Sequence, residues 1–261
     1  MLLFLEGGFM KILFIGDVFG DVGRKILYDN IGRIKKEYGI NLVIANGENA
    51  AHGRGITTKI YKEFMEAGIN VITMGNHTWG NKDIFELLDN NANIVIPANY
   101  PNNPKQGYQT INYNGKKITI INLLGRVYMN NISLDCPFKL VDKILETVNS
   151  DYYIVDMHAE ATSEKIALGL YLDGRVDAVL GTHTHVQTAD ERTLPKGTLY
   201  ISDVGMTGPL NGVIGGDASI VINKFVKGVI EPNKTATGDA QFNAVVLDLN
   251  GTKNTISRIH F

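Results

Sequence analysis

Disulfides, membrane spans and long charged tracts are all missing from this 261-residue chain. Its one cysteine, Cys136, cannot close an intramolecular bridge, so nothing points to an oxidising compartment. No apolar run is long enough to cross a bilayer. The apolar opening, residues 1–9, has neither a positive leading segment nor a small-residue cleavage site, which argues against a signal peptide. We read 1–9 as an N-terminal extension, 10–261 as one domain, and the cytoplasm as the default location. A net charge of -2 gives no broad basic face for duplex nucleic acid, although metal ions can supply local positive charge that residue counts do not show. Low-complexity tracts, internal repeats and Pro/Ser linkers are also absent. The oligomeric state is not fixed by any of these features, and a homo-oligomer is compatible with all of them.

What is present is a rhythm of short β-branched runs, loops of Gly, Asp, Asn and His, and helical stretches. Strands are predicted at Lys11–Ile15, Leu42–Ala45, Asn70–Thr73, Tyr152–Met157, Ala178–Leu180, Thr198–Ile201 and Ala244–Leu249. Helices are predicted from Gly23 to Tyr38, closed by Gly39; from Thr57 or Thr58 to Ala67, stopped by Gly68; and over Lys139–Val148 and Ser163–Leu172. Continuous apolar strands alternating with helices imply parallel pairing with both faces covered. Tyr108 to Leu124, turning at Gly115, reads instead as an antiparallel hairpin. Gly125–Phe138 has no period and is expected to form a small lid or a partner-facing excursion. The mixture of strands suggests an α/β fold: two mixed sheets stacked as a sandwich and flanked by helices.

Chemistry is carried by position. Asp17, Glu48, Asn76, His158 and the pair His183/His185 each follow a predicted strand, and the carboxyl edge of an open sheet is where ligand sites collect. A lone Asp there is more often a turn former, and a lone His more often structural. Polar groups at five strand ends, in motifs that with His77 take up four of the six histidines, are harder to explain that way. His183 and His185 stand two apart and would point the same way if the strand stayed extended. Oxygen donors mixed with imidazole suit Mn, Fe, Zn or Ni better than Ca, and the absence of thiolate argues against a structural zinc site. The donors outnumber the needs of one ion, and two ions sharing a carboxylate would use them all.

Gly16-Asp17, Gly47-Glu48-Asn49, Gly75-Asn76-His77, His158 and Gly181-Thr182-His183-Thr184-His185 together resemble the ordered signature of calcineurin-like metallophosphoesterases. The fuller strings Asn46–Gly53, Thr73–Trp79 and His158–Lys165 resemble the bacterial YmdB-like phosphodiesterase branch, and the likeness runs from Met10 to the end. Two positions depart from the broad superfamily: Asp17-Val18-Phe19 lacks the usual Asp-x-His histidine, and Glu48 stands where an aspartate is usual. Both departures match that branch, where Asn49 compensates. The resemblance implies a four-layer α/β/β/α sandwich. It also implies one ion on Asp17, Glu48, Asn49 and His185, and a second on Glu48, Asn76, His158 and His183, the metal being iron or manganese. The implied activity is hydrolysis of small phosphodiesters, cyclic nucleotides of the 2′,3′ kind included. Two cations would turn a bridging water into a hydroxide nucleophile, and His77, beside ligand Asn76, would protonate the leaving alkoxide. The alternative is a metal-containing regulatory protein that binds a nucleotide without turnover.

Overall fold

The computed structural model describes residues 10–129, 133–229, 231–251 and 253–261. The proposed extension 1–9 and the middle of the 125–138 segment lie outside them. The chain runs β1 (Met10–Ile15), β2 (Asp17–Val18), α1 (Gly20–Tyr38), β3 (Leu42–Asn46), α2 (Thr58–Glu66), β4 (Val71–Thr73), α3 (Asp83–Asp89) and β5 (Ile94–Val95). It continues through β6 (Tyr108–Tyr113), β7 (Lys116–Leu124), α4 (Pro137–Thr147), β8 (Tyr152–His158), α5 (Thr162–Leu172), β9 (Ala178–Thr182), β10 (Arg192–Thr193) and β11 (Leu199–Ile201). It closes with β12 (Met206–Pro209), α6 (Ala218–Lys227), β13 (Ala240–Gln241), β14 (Asn243–Leu249) and β15 (Thr255–His260).

Two six-stranded sheets result, ordered β15-β14-β1-β3-β4-β5 and β10-β11-β9-β8-β7-β6, with a small sheet β13-β12-β2 beside them. β1, β3, β4 and β5 pair in parallel, as do β7, β8, β9 and β11. β14, β15, β6 and β10 join the sheets in antiparallel pairing.

The period-two pattern of β1 sorts its residues between layers. Ile12 and Phe14 join Ile44, Ile120, Ile154 and Leu180 in the core between the sheets. Leu13 and Ile15 face the other way and pack with Leu27, Ile31 and Ile34 of α1 and with Phe64 of α2. On the far side, Val155 and Met157 of β8 pack with Val141 and Ile144 of α4 and Leu168 of α5. The layers are therefore helices, sheet, sheet, helices, and both expectations of fold are met. Each fully buried Ile, Leu or Phe contributes roughly 1.5–3 kcal/mol of transfer free energy to this arrangement.

Helix ends follow local chemistry. The Thr57 hydroxyl caps α2 by accepting from Ile60 N at 3.2 Å, and Gly39 closes α1 at φ 66°. Some details differ from the sequence reading. Helix α1 begins at Gly20, ahead of Gly23, through a left-handed turn at φ 58° that only glycine adopts freely. Helix α4 begins at Pro137, whose missing N–H is no loss in a first turn. The buried strand β12, where no strand was predicted, pairs with β2 through Met206↔Asp17 and Thr207↔Val18. Short α3 and β5 and the solvent-facing α6 were not anticipated. No helix among the described residues is long and apolar enough to cross a membrane.

Candidate metal centre

The parallel strands of both sheets deliver their carboxyl ends to one edge, and the predicted donors gather there. From the first sheet, Gly16 brings β1 against Gly205, where a Cβ would lie 2.0 Å from the Gly205 carbonyl oxygen. That approach buries Asp17 fully; its Oδ2 accepts from His183 N at 3.1 Å, while Oδ1 has no partner. After β3 the chain folds back tightly: Asn46 Oδ1 accepts from Glu48 N at 3.1 Å, and Gly53 N donates to Asn49 O at 3.0 Å. Asn49 Nδ2 donates to Gly53 O at 2.9 Å, and its buried Oδ1 is left without a partner. Glu48 Oε2 accepts from His77 N at 2.9 Å. Gly75 is required by space: a Cβ there would lie 2.3 Å from Glu48 Oε2 and 2.4 Å from His158 Nε2.

The second sheet supplies the imidazoles. The Thr182 hydroxyl donates to Asp156 Oδ1 at 2.6 Å, so toward His158 Nδ1, at 2.9 Å, it acts as acceptor. The Nδ1 proton is thereby fixed. His158 Nε2 faces Asn76 Oδ1 at 2.9 Å, His183 Nδ1 at 3.0 Å and Glu48 Oε1 at 3.2 Å. His183 Nε2 lies 3.3 Å from Glu160 Oε2, which favours a proton on that nitrogen and a lone pair on Nδ1. His185 Nδ1 donates to Ile214 O at 2.9 Å, leaving its Nε2 as the basic nitrogen. The two histidines do not continue an extended strand as their spacing suggested, since β9 ends at Thr182. His183 and His185 sit at φ 101° and 67°, so the backbone is not extended. One ring meets His158 and the other meets Phe19, edge to face, at 5.6 Å.

Charge in this enclosed space is strongly coupled. Burial pushes the Asp17 carboxyl well above its usual range, and nearby Glu48 adds to the effect. Burial would raise Glu48 too, but the His158 and His77 contacts outweigh it and hold Glu48 down at about 2. His158 is the reverse case: burial disfavours its cation, yet Glu48, Asp17 and Asp156 bring it up to about 9. His183 is pushed down to about 3 by burial and then by His158. Burial also lowers His185 and His77.

A cluster of acceptor atoms this tight calls for a cation. Among the described residues, Glu48, His158 and His183 offer ligand atoms within 4.8 Å of one another. Asp17 Oδ1 and Asn49 Oδ1, buried without a hydrogen-bond partner, are oxygen donors of the kind a metal ion takes. The residues present thus fit a metal centre. His77 stands beside it, its Nδ1 3.0 Å from Asn49 Nδ2 and 3.7 Å from Glu48 Oε1. Because Asn49 Nδ2 can only donate, the ring proton of neutral His77 is on Nε2.

Several supporting residues escaped the sequence reading. Lys165 Nζ and Asp203 Oδ2 form a buried ion pair at 2.7 Å, and the same oxygen accepts from Thr184 N at 3.0 Å and Thr184 Oγ1 at 2.7 Å. Asp203 so holds the residue between the two histidines. Its signal was an Asp following the apolar run Leu199–Ile201, and Lys165 lay inside a quoted motif without a role. Beside the centre opens a cavity of about 560 Å³, lined by Phe19, Asn49, His77 and His185 together with parts of 52–54 and 213–235. Of the 125–138 segment, expected to form a small lid or a partner-facing excursion, no described residue lines this cavity.

A sandwich of two mixed sheets with oxygen and imidazole donors at its carboxyl edge defines the metallophosphoesterase class of fold. A 5′-nucleotidase from Candida albicans shares that fold at a TM-score of 0.56 and 12% identity, over 96% of this chain and 50% of the other. The family model described as YmdB-like protein matches residues 13–260. A Bacillus subtilis protein named 2′,3′-cyclic-nucleotide 2′-phosphodiesterase is 47% identical over 92% of this chain and 91% of its own length. The crystal structure of a phosphatase from Mycoplasma pneumoniae superposes at a TM-score of 0.92 with 40% identity, covering 97% and 94% of the two chains. The chain belongs to the YmdB-like family, and it is a hydrolase.

Proposed function

We propose that this protein is a dinuclear metal-dependent phosphodiesterase that opens 2′,3′-cyclic nucleotides. The observation that carries the reading is the convergence of Glu48 Oε1, Asn76 Oδ1 and His183 Nδ1 on His158 Nε2 within 3.2 Å. These four side chains would hold one ion. Asp17, Asn49 and His185 would hold the other, with Glu48 shared and iron or manganese the expected metal. Bound there, the ions supply positive charge for the phosphoryl oxygens and lower the pKa of water toward neutrality.

The chain's own residues do the rest. Thr182 and Asp156 fix the His158 tautomer, and the Ile214 carbonyl does the same for His185. His77 lines the cavity and carries a proton at Nε2 for the leaving oxygen. Hydrolysis at the 2′ ester adds one water: its oxygen ends on phosphorus, the O2′–P bond breaks, and O2′ takes the proton, leaving a 3′-phosphate. The similarity to the Bacillus subtilis enzyme supports this bond as the one cleaved.

Elemental analysis followed by steady-state kinetics on matched esters tests the proposal. We expect close to two transition-metal ions per chain, and a higher kcat/KM for 2′,3′-cyclic nucleotides than for the matching monoesters. Metal-loaded protein that binds these nucleotides without hydrolysing them would overturn the reading in favour of the regulatory alternative. A monoester kcat/KM tenfold above every diester would overturn the substrate assignment.

A further inference from the structure

The cavity beside the metal centre has walls of one charge. Arg54 comes from the loop after β3, Lys224 from α6 and Lys234 from the segment that follows it, and no Asp or Glu lines the cavity. That is a local excess in a chain whose net charge is -2. None of the three cations forms an ion pair among the described residues. Lys234 feels the charge of Asp217 but forms no ion pair with it; Asp217 Oδ1 instead caps α6, accepting from Ser219 N at 2.9 Å and Ile220 N at 3.2 Å. Arg54 stands nearest the chemistry, since its charge helps to lower the pKa of His77. Lys224 and Lys234 belong to other elements and are exposed, free to move onto a ligand. Phe225, beside Lys224, also lines the cavity and is 81% exposed, an aromatic face left uncovered among the described residues.

One scissile phosphodiester carries a single negative charge, and the metal centre answers it. The remaining cations call for a second phosphate. Resting on the phosphodiesterase reading above, we propose that Lys224 and Lys234 bind a second phosphate on the 5′ side of the reacting nucleotide. The preferred substrate is then a short RNA ending in a 2′,3′-cyclic phosphate, with the base before the terminal one stacked on Phe225. Backbone charge and base stacking are the two means by which single strands are held without sequence preference. The 560 Å³ of the cavity lies within the roughly 300–1,000 Å³ of ordinary ligand sites.

The test compares three substrates on the metal-loaded protein: a 2′,3′-cyclic mononucleotide, the same compound bearing a 5′-phosphate, and a dinucleotide ending in the cyclic phosphate. Two exposed cations acting together should raise kcat/KM for the dinucleotide over the mononucleotide by about tenfold. Rising salt should erode that preference. Lys224→Ala/Lys234→Ala should bring the ratio to about one, and Phe225→Ala should lower it only for the dinucleotide. A gain shared by the 5′-phosphorylated mononucleotide assigns the site to the phosphate itself; a gain confined to the dinucleotide adds the stacked base. Equal kcat/KM for all three substrates, or a preference that survives Lys224→Ala/Lys234→Ala, overturns the subsite and leaves the phosphodiesterase reading intact. No turnover of any of the three rejects the phosphodiesterase reading itself.

Discussion

Replacing Gly75 with alanine gives the sharpest probe of the centre. Gly75 is not among the glycines with positive φ, so alanine meets no backbone penalty there. The new Cβ would instead stand 2.3 Å from Glu48 Oε2 and 2.4 Å from His158 Nε2. Ordinary contact begins near 3.4 Å, so one or both groups must retreat by about 1 Å. Neither can do so freely: Glu48 is held by His77 N, and His158 by Thr182. Overpacking of this kind costs about 1–3 kcal/mol. Misplacing reacting groups by 1 Å can cost on the order of 10²-fold in rate. Gly75→Ala should therefore fold, lose metal, and lose activity by at least that factor. Elemental analysis, circular dichroism and thermal unfolding on the same sample would separate the effects. Gly32→Ala is the control. Nothing lies within 4 Å of its Cβ in the middle of α1, and it should gain about 0.4–1 kcal/mol of stability. A Gly75→Ala protein with full metal content and normal kcat/KM would refute the steric argument outright.

Other perturbations bear on separate parts of the site. His77→Ala should keep its metal and lose roughly 10²–10⁴-fold in kcat, with a smaller loss on nitrophenyl diesters; equal losses would reassign His77 to a supporting role. Lys165→Met leaves Asp203 buried and uncompensated, at a cost of about 3–5 kcal/mol; a loss below 1 kcal/mol in urea unfolding would contradict the geometry. Asp190 is half-exposed, and burial would raise its carboxyl, but bonds from Ser202 and Thr188 outweigh this and lower it below 3.8. A depressed folded pKa stabilises above the unfolded value and is lost as pH falls through the folded one. Asp190→Asn should thus lower stability at pH 7 by about 1 kcal/mol after solvent screening, read as a lower Tm, with the gap closing below pH 3.8.

The layered fold was legible because buried parallel strands must be apolar throughout, and their polar ends then stand out. Asp17, Glu48, Asn76 and His158 were found by that contrast. What the sequence hid is of two kinds. α3, seven residues long, and β5, two residues long, are too short to show a period. α6 buries none of its residues, so its apolar positions mark no core face. The second kind is partnership at a distance. Asp203 looks like any turn aspartate until Lys165, 38 residues earlier, is found against it. The direction of the two histidines failed for a local reason, because left-handed residues after β9 replaced the extended backbone that their spacing assumed.

The donors come from both halves of the sandwich. Asp17, Glu48, Asn49 and Asn76 follow strands of one sheet or lie beside it, while His158 ends a strand of the other and His183 and His185 follow one. On the proposed reading, a cation gripped by Glu48 and Asn76 on one side and by His158 and His183 on the other is a rivet through the molecule. Any ligand that binds only the folded state stabilises it by mass action, and here the gain falls on the seam between the sheets. Metal supply then governs how firmly the two halves stay together as well as whether they catalyse. A cell starved of that metal would hold a looser protein, open first along that seam and exposed there to proteolysis.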